Sequence, residues 1–199
     1  MTSRSLFHTL IYEASLESSA KLIELADACR FIAAEDHAGR RWSRDHHYQG
    51  YTSYASLNDL PKRDPRFADL VRVIDRHVRR FAADCAFDMR QRPKLDSLWV
   101  NVLKSGCGHS GHIHPHSIIS GTIYIAIPPG SGALRLEDPR LPMMMAAPLR
   151  RDDAPEALQS FVSIEPRPGV LLLWESWLRH EVVPGAGKGE RISISFNYR

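Results

Sequence analysis

The sequence predicts a mainly β protein with N-terminal helices, in which about eight short strands form a sandwich or barrel. Residues 1–97 repeat apolar side chains with helical periodicity, whereas residues 98–199 form short β-branched runs separated by Gly and Pro. The chain has 199 residues, 43% of them hydrophobic, which is enough to bury a core without disulfides. We therefore expect a single domain over 1–199, with 1–97 as a helical support and 98–199 as the β core.

Two helices are predicted in the N-terminal half. The first should begin near Ser15 or Ser18, because either hydroxyl can cap free N–H groups ahead of the apolar positions that follow. The second should begin at Asp64, an N-cap residue followed by proline, and its apolar face is predicted to comprise Phe67, Leu70, Val71, Ile74, Val78 and Phe81. The segment 37–62 is rich in aromatic residues but has no sustained period, so we interpret it as an ordered loop.

Strands are predicted over 98–104, 111–115, 121–127, 133–137, 160–165, 170–174, 180–183 and 191–198. Successive side chains of a strand point to opposite faces, and in three of these strands the polar side chains share one face. The residues of those faces are Trp99, Asn101 and Leu103; Thr122, Tyr124 and Ala126; and Arg191, Ser193, Ser195 and Asn197. If the apolar faces pack on the helices, the polar faces line a hollow interior.

Composition excludes several classes of function. The net charge of +3 arises from 26 basic and 23 acidic residues that are interleaved along the chain, so a nucleic-acid surface is not indicated. Three cysteines without CxxC spacing are typical of buried free thiols in a reducing compartment. Neither a signal peptide nor a run of about 18 apolar residues is present, so we expect a cytoplasmic protein without a membrane anchor.

Three histidines are the candidate metal ligands. His112 and His114 are two residues apart, and an extended chain sends such side chains to the same side, close enough to reach one metal ion. His180 begins a later strand, at a position where an imidazole is too polar to be an ordinary residue of the hydrophobic core. Taken singly, each could equally be a surface or packing histidine, and the combination is what favours a metal site.

Arg191 and Ser193 form an R-x-S pair on one face of the last strand. A guanidinium fork beside a hydroxyl suits a carboxylate, although a cross-strand ion pair would use the arginine equally well. Arg135, on the face shared by Ala133 and Glu137, is a reserve candidate for the same role.

The order of these groups resembles the Fe(II)/2-oxoglutarate-dependent oxygenases, which are built on a double-stranded β-helix, a jelly-roll of cupin type. The strings HIHPHSIISGTIYIAI, PRPGVLLLWESWLRHEVVP and ERISISFNYR are similar to an uncharacterised bacterial group of such oxygenases with H-x-H-P-x-S-x-x-S-G and R-I-S-x-S-F-N signatures. The resemblance covers about residues 98–199. It implies a double-stranded β-helix core packed against two or more helices.

The resemblance also implies the chemistry. His112 and His180 would be metal ligands, Fe(II) the metal, and Arg191 with Ser193 the anchor for the distal carboxylate of the cosubstrate 2-oxoglutarate. Dioxygen would be the co-reactant, and a small-molecule or peptide substrate would be hydroxylated or otherwise oxidised while 2-oxoglutarate becomes succinate and carbon dioxide. A homodimer is compatible with this reading.

The chain departs from the superfamily at His114, where most members place an Asp or Glu. A third imidazole brings no negative charge, so zinc, copper or nickel would compete more readily with iron. Glu137, Asp138, Glu175 and Glu181 are the substitutes available, and we prefer His114 as the third ligand. Tyr124 and Asn101 are expected to bind 2-oxoglutarate or orient the imidazoles, with packing roles an equal alternative.

Two rival functions remain open. A cupin-like metal enzyme would use three histidines without 2-oxoglutarate, but it predicts a Glu four to six residues after His114, where Ile118, Ile119 and Ser120 stand. A non-catalytic β-helix module would hold structural zinc or no metal and recognise a small acid through Arg191. For the oxygenase, the loops 40–62 and 139–153 are expected to select the substrate. The second carries an apolar segment, 141–147, which we interpret as a plain loop packed on the barrel rim, with an adaptable lid as the alternative.

Overall fold

A computed structural model describes residues 2–16, 19–88 and 90–199 of the chain. The described residues form three α-helices: α1 (Ser19–Glu35), α2 (His37–Asp45) and α3 (Pro65–Asp84). They form ten strands: β1 (Tyr12–Ser15), β2 (Gly50–Thr52), β3 (Leu95–Leu103), β4 (His109–His112), β5 (Ile119–Ala126), β6 (Leu134–Glu137), β7 (Phe161–Ile164), β8 (Val170–Glu175), β9 (His180–Val182) and β10 (Arg191–Tyr198).

The strands build two antiparallel sheets. The larger has the order β1-β8-β5-β10-β3-β2, and the smaller has the order β4-β9-β6-β7. Neighbours in each sheet come from distant parts of the sequence, as they do when a chain winds alternately through two facing sheets. The predicted fold class, a double-stranded β-helix supported by helices, is confirmed.

The larger sheet is buried on both faces. Its outer face packs on α1 and α3, and the buried apolar residues that meet there include Cys29, Phe67, Ile74, Phe81, Val100, Ile123, Leu171 and Ile194. Its inner face meets the smaller sheet in a separate apolar cluster that includes Leu134, Leu136, Leu172 and Trp174. Leu171 and Leu172 therefore serve different cores although they are adjacent, because the pleat sends them to opposite faces.

The second helix was predicted correctly at its start. Asp64 caps α3 by accepting from the backbone N–H of Arg66 at 2.8 Å, and Pro65 occupies the first turn. The first helix, α1, begins at Ser19. Ser15 is instead the last residue of β1, and Ser18 lies outside the described residues.

The prediction of a loop over 37–62 was wrong. The segment contains α2, β2 and a 3-10 turn at Leu60–Lys62. Helix α2 has the sequence HAGRRWSRD and buries only Gly39 and Ser43, so it lacks the apolar stripe by which a helix is recognised. Strand β2 has three residues and exists because it pairs with the edge of β3.

The three cysteines are unpaired, as expected, but only Cys29 is buried, while Cys85 and Cys107 are half-buried. Among the described residues, no helix combines the length and apolar character needed to cross a bilayer.

We expect Ile74→Ala to lower the free energy of unfolding by about 2–5 kcal/mol, because the fully buried side chain of Ile74 would leave a cavity between α3 and the larger sheet. Ile23→Ala is the matched control. Ile23 lies on α1 with 64% of its surface exposed, and its loss should change stability by less than about 0.5 kcal/mol. Urea denaturation followed by circular dichroism measures both. Equal losses would contradict the packing of α3 described above.

Candidate functional site

The three predicted histidines converge at one end of the space between the sheets. His112 ends β4, His180 begins β9, and the two stand opposite each other in the antiparallel ladder of the smaller sheet. His114 follows two residues after β4 and is fixed by its backbone N–H, which donates to the Ser176 carbonyl at 3.0 Å. One ring nitrogen from each histidine lies within 4.8 Å of the other two, a spacing suited to one shared metal ion.

The orientation of two imidazoles is set by backbone carbonyls. His112 Nδ1 lies 2.8 Å from the Ser110 carbonyl oxygen, and His180 Nδ1 lies 2.9 Å from the Leu178 carbonyl oxygen. A carbonyl accepts only, so each Nδ1 carries the proton and each Nε2 keeps its lone pair. His114 Nε2 lies 3.2 Å from His180 Nε2, so these two ring nitrogens are turned toward a common point.

Burial keeps these imidazoles neutral. It lowers the pKa of His112, and it lowers the pKa of His114 to about 4 and that of His180 to about 3. Neutral imidazole is the form that ligates metals, so no proton has to be displaced at neutral pH.

The carboxylates considered as alternative third ligands are all engaged elsewhere. Glu181 pairs with Arg135, Glu137 with Arg179, and Asp138 with Arg140, while Glu175 accepts from Trp177 Nε1 at 3.0 Å. Among the described residues, the cluster with metal-ligand spacing contains histidines alone.

Arg191 and Ser193 lie on the inner face of β10 and are buried. The guanidinium carbon of Arg191 stands 5.1 Å from the centroid of the Tyr124 ring. No carboxylate of the described residues forms an ion pair with Arg191, and its Nε has no hydrogen-bond partner there. Burial lowers the pKa of Arg191, but an arginine remains charged, so the site holds an uncompensated buried cation.

Two further buried donors also lack partners within the described chain: Tyr124 Oη and Trp174 Nε1. Burial raises the pKa of Tyr124 to about 12, so its hydroxyl stays protonated. Both side chains line the same cavity as Arg191 and the three histidines. Unpaired buried donors cost stability, and here they face a space that a ligand rich in oxygen atoms would satisfy.

A chain of polar groups completes the inner face of the larger sheet. Tyr48 Oη donates to Asn101 Oδ1 at 3.3 Å, Asn101 Nδ2 donates to Ser195 Oγ at 3.1 Å, and Ser195 Oγ donates to Thr122 Oγ1 at 3.3 Å. These residues come from three strands and the segment between α2 and β2, and their contacts fix the polar face that the alternation predicted.

Sequence reasoning missed two residues of the cavity wall, Tyr48 and His109. Their rings pack edge to face with centroids 5.3 Å apart, and the His109 ring lies 4.3 Å from that of His112. Burial lowers the pKa of His109 to about 4. Tyr48 comes from the segment predicted to be a loop, where no local pattern marks it, whereas the closeness of His109 to the H-x-H pair was a usable signal.

Arg135 is not part of the cavity. It forms an exposed ion pair with Glu181 and lies over the Phe161 ring at 5.0 Å from its centroid, so the prediction of a reserve anchor was wrong. The strand places Arg135 on the outer face, because its neighbours Leu134 and Leu136 take the inner one.

Comparison with known proteins agrees with this arrangement. Residues 97–197 match the model of a family described as "Putative 2OG-Fe(II) oxygenase". No curated protein sequence matches the chain.

Several solved structures share the fold. A prolyl-4-hydroxylase from Pseudomonas putida is 15% identical, with a TM-score of 0.59 and coverage of 95% of this chain and 91% of that one. HygX from Streptomyces hygroscopicus, solved with nickel and 2-oxoglutarate, is 14% identical, with a TM-score of 0.59 and coverage of 96% and 82%. The collagen prolyl hydroxylase of Paramecium Bursaria Chlorella virus-1, a 2OG complex, is 12% identical, with a TM-score of 0.59 and coverage of 95% and 94%.

The unpaired hydroxyl of Tyr124 gives a stability test without any ligand. Tyr124→Phe should change the free energy of unfolding by less than about 1 kcal/mol, or raise it, because the lost hydroxyl has no partner among the described residues. Ser120→Ala is the contrast, with an expected loss of about 1–2 kcal/mol, since its buried hydroxyl bonds Ser176 and Asn197. Urea denaturation of metal-free protein compares them, and a larger loss for Tyr124→Phe would mean that its hydroxyl is already satisfied.

Proposed function

Because the chain belongs to the 2OG-Fe(II) oxygenase family, over half of its length matching the family model, we propose that it is an Fe(II)/2-oxoglutarate-dependent dioxygenase with a three-histidine metal site. His112, His114 and His180 hold the metal. Arg191 and Ser193 bind the distal carboxylate of 2-oxoglutarate. The observation that carries the proposal is the juxtaposition, in one cavity, of three neutral imidazoles with a buried arginine that lacks an internal counter-ion.

The residues of the cavity fit both cofactors. The three histidines would hold the metal through one ring nitrogen each and would leave room in its coordination for a keto acid and dioxygen. A dicarboxylate supplies the anion that Arg191 lacks, and Ser193 and Tyr124 can donate hydrogen bonds to the same carboxylate. Asn101, held by Tyr48 and Ser195, is available to orient the bound acid.

A bound iron would let dioxygen act as the oxidant: 2-oxoglutarate would be oxidised to succinate and carbon dioxide while the substrate is hydroxylated or otherwise oxidised. The protein itself positions the cosubstrate and the metal ligands. Arg191 and Ser193 fix the distal end of the cosubstrate, the backbone carbonyls of Ser110 and Leu178 fix two imidazoles, and the rings of Trp99 and Trp174 exclude water from the cavity wall.

Two finer assignments rest on the sequence. The H-x-H-P-x-S-x-x-S-G and R-I-S-x-S-F-N strings support membership of a bacterial group of such oxygenases, acting as a single domain on a small-molecule or peptide substrate. Three free thiols support a reducing cytoplasm as the compartment.

The cupin-like alternative and the non-catalytic module are less well supported. A three-histidine enzyme without 2-oxoglutarate has no use for a buried arginine in the cavity. A structural zinc takes four protein ligands, whereas the cluster found among the described residues holds three.

Binding of 2-oxoglutarate tests the arginine. Anaerobic protein with Fe(II) should bind 2-oxoglutarate in isothermal titration calorimetry and convert it slowly to succinate in air. Arg191→Ala should weaken binding at least about 30-fold, because a buried charge pair loses one partner. Arg135→Ala, which removes an exposed arginine, should bind as the unmodified protein does. Failure of the unmodified protein to bind or convert 2-oxoglutarate would refute the proposed function.

Metal content tests the histidines. His112→Ala, His114→Ala and His180→Ala should each copurify with less than about a tenth of the metal found in the unmodified protein, measured by elemental analysis. His116→Asn is the control. His116 is exposed and has a φ of 69°, which asparagine tolerates. His114→Asp should retain iron, since a carboxylate restores the two-His-one-carboxylate face. Full metal content in His114→Ala would remove His114 from the ligand set.

A further inference from the structure

The cavity that contains the three histidines and Arg191 has room for little more than the cosubstrate. Its volume is about 50 Å³, and a single water molecule needs roughly 10–15 Å³ by the same measure. A metal ion with 2-oxoglutarate would fill that space. The primary substrate of the proposed oxygenase must therefore be held outside it, in a cleft that reaches the metal ligands.

A neighbouring cleft of about 440 Å³ meets this requirement, and we call it the α2–β4 cleft. It lies between the C-terminal end of α2 and β4, the edge strand of the smaller sheet, and its volume is typical of a small-molecule site. Tyr48, His109 and Val182 line both this cleft and the metal cavity. Among the described residues, a basic surface cleft lined by Arg40 and Lys104 meets the cavity through Tyr48 alone. The α2–β4 cleft therefore has the broader contact with the metal cavity.

A β-bulge turns His109 toward the junction of the two spaces. In the ladder with β9, His109 is opposite Val182 and His112 is opposite His180, so β4 has one more residue than β9 between the two pairs. Residues three apart on a regular strand point to opposite faces, and the extra residue of the bulge brings both imidazoles to the same face. Their ring centroids lie 4.3 Å apart. A substrate in the α2–β4 cleft is therefore separated from a metal ligand by a single ring.

Two stacked rings line the α2–β4 cleft on the side of α2. The Trp42 indole and the His46 imidazole lie about one helical turn apart, with centroids 4.2 Å apart and 15° between the ring planes. His46 Nδ1 lies 2.9 Å from the Trp42 carbonyl oxygen, and this contact holds the imidazole on the indole. A wall of this kind binds flat rings by stacking.

Helix α2, which carries these rings, is fixed near both of its ends. Asp36 accepts from the backbone N–H of Gly39 at 2.9 Å and from Tyr51 Oη at 2.8 Å. Ser43 Oγ accepts from the backbone N–H of Thr52 at 3.2 Å. The two rings are therefore positioned before a ligand arrives, which lowers the entropy lost on binding.

The α2–β4 cleft favours positive charge. Among the described residues its walls include Glu181 and contain no lysine or arginine. Both Nε and Nη2 of Arg135 contact the same oxygen of Glu181, Oε1, which leaves Oε2 for a ligand. A cation here would meet a carboxylate as well as aromatic faces. The acid anchor Arg191 lies in the inner cavity, so the two spaces differ in the charge that they accept.

We propose that the α2–β4 cleft is the primary-substrate site and that it takes a molecule with a flat ring and a positively charged group. The ring lies against Trp42 and His46, and the charge lies near Glu181. Tyr48 and His109 border the passage through which the reacting carbon approaches the metal. This inference rests on the proposed oxygenase function and names the substrate class of its site.

An NMR titration of the full chain with tryptamine, without metal or 2-oxoglutarate, tests the proposal. The unmodified protein should bind tryptamine with a Kd of about 1 mM or tighter, as expected for a ligand of this size. Trp42→Ala should weaken binding at least about fivefold, because the indole loses its stacking partner. Trp177→Ala is the matched control: it removes an exposed tryptophan outside the cleft and should leave the affinity unchanged.

A second ligand tests the charge. Tryptophol has the ring of tryptamine with a neutral hydroxyl in place of the ammonium group, and it should bind at least about threefold more weakly. Glu181→Gln should remove this difference, because it replaces the carboxylate of the cleft with a neutral amide.

The outcomes separate the proposals. If tryptamine does not bind, or if Trp42→Ala binds it as the unmodified protein does, the α2–β4 cleft is refuted as the substrate site. Equal affinities for tryptamine and tryptophol refute the positive charge. Should Trp42→Ala fail to fold, as judged by thermal melting, His46→Ala decides. His46 is exposed, and its loss should weaken tryptamine binding at least about threefold, whereas an unchanged affinity overturns the proposal. Because these titrations contain neither metal nor 2-oxoglutarate, a failure of the proposed oxygenase function shows itself separately, as absent binding or conversion of 2-oxoglutarate.

Discussion

The pleat of one central strand is the constraint on which the rest of the site depends. Strand β10 lies between β3 and β5 in a sheet that is buried on both faces, so its side chains must divide between a helix-packed apolar core and the interior cavity. Ile192, Ile194 and Phe196 take the outer face, while the polar residues between them take the inner one. A slip of one residue would bury the apolar set in the cavity and expose Arg191 to the helices, which makes this register costly to change.

The polar groups of the interior cavity lower the stability of the fold when no ligand is bound. A buried guanidinium without a counter-ion, together with unpaired donors on Tyr124 and Trp174, carries a free-energy cost that the apolar packing of α1 and α3 on the other face offsets. The larger apolar cluster therefore lies on the outer face of the sheet, while the inner face carries the polar cavity groups beside a smaller apolar cluster. This packing holds the cavity groups in place before a ligand enters.

A feature could be predicted from the sequence when the residues that specify it lie close together along the chain. Period-2 alternation is local, so the cavity-facing set Asn101, Tyr124, Arg191 and Ser193 could be read from short windows of sequence. The capped start of α3 at Asp64 is equally local. Tyr48 could not be found this way, because it reaches the cavity from the turn after α2, a helix with almost no apolar face.

The sequence by itself determined the fold class and the candidate groups for binding a metal and an acid, because residue type and alternation are local properties. Its motifs also carried the resemblance to an oxygenase family that the family model shows. The tertiary structure alone decided how the groups are used. It brought ring nitrogens of His112, His114 and His180 within 4.8 Å of one another, engaged the competing carboxylates with arginines or a tryptophan, and left Arg191 without a carboxylate partner among the described residues. These outcomes depend on pairing between strands that are far apart in sequence. The distances and partners that this pairing creates cannot be predicted from any single segment of the chain.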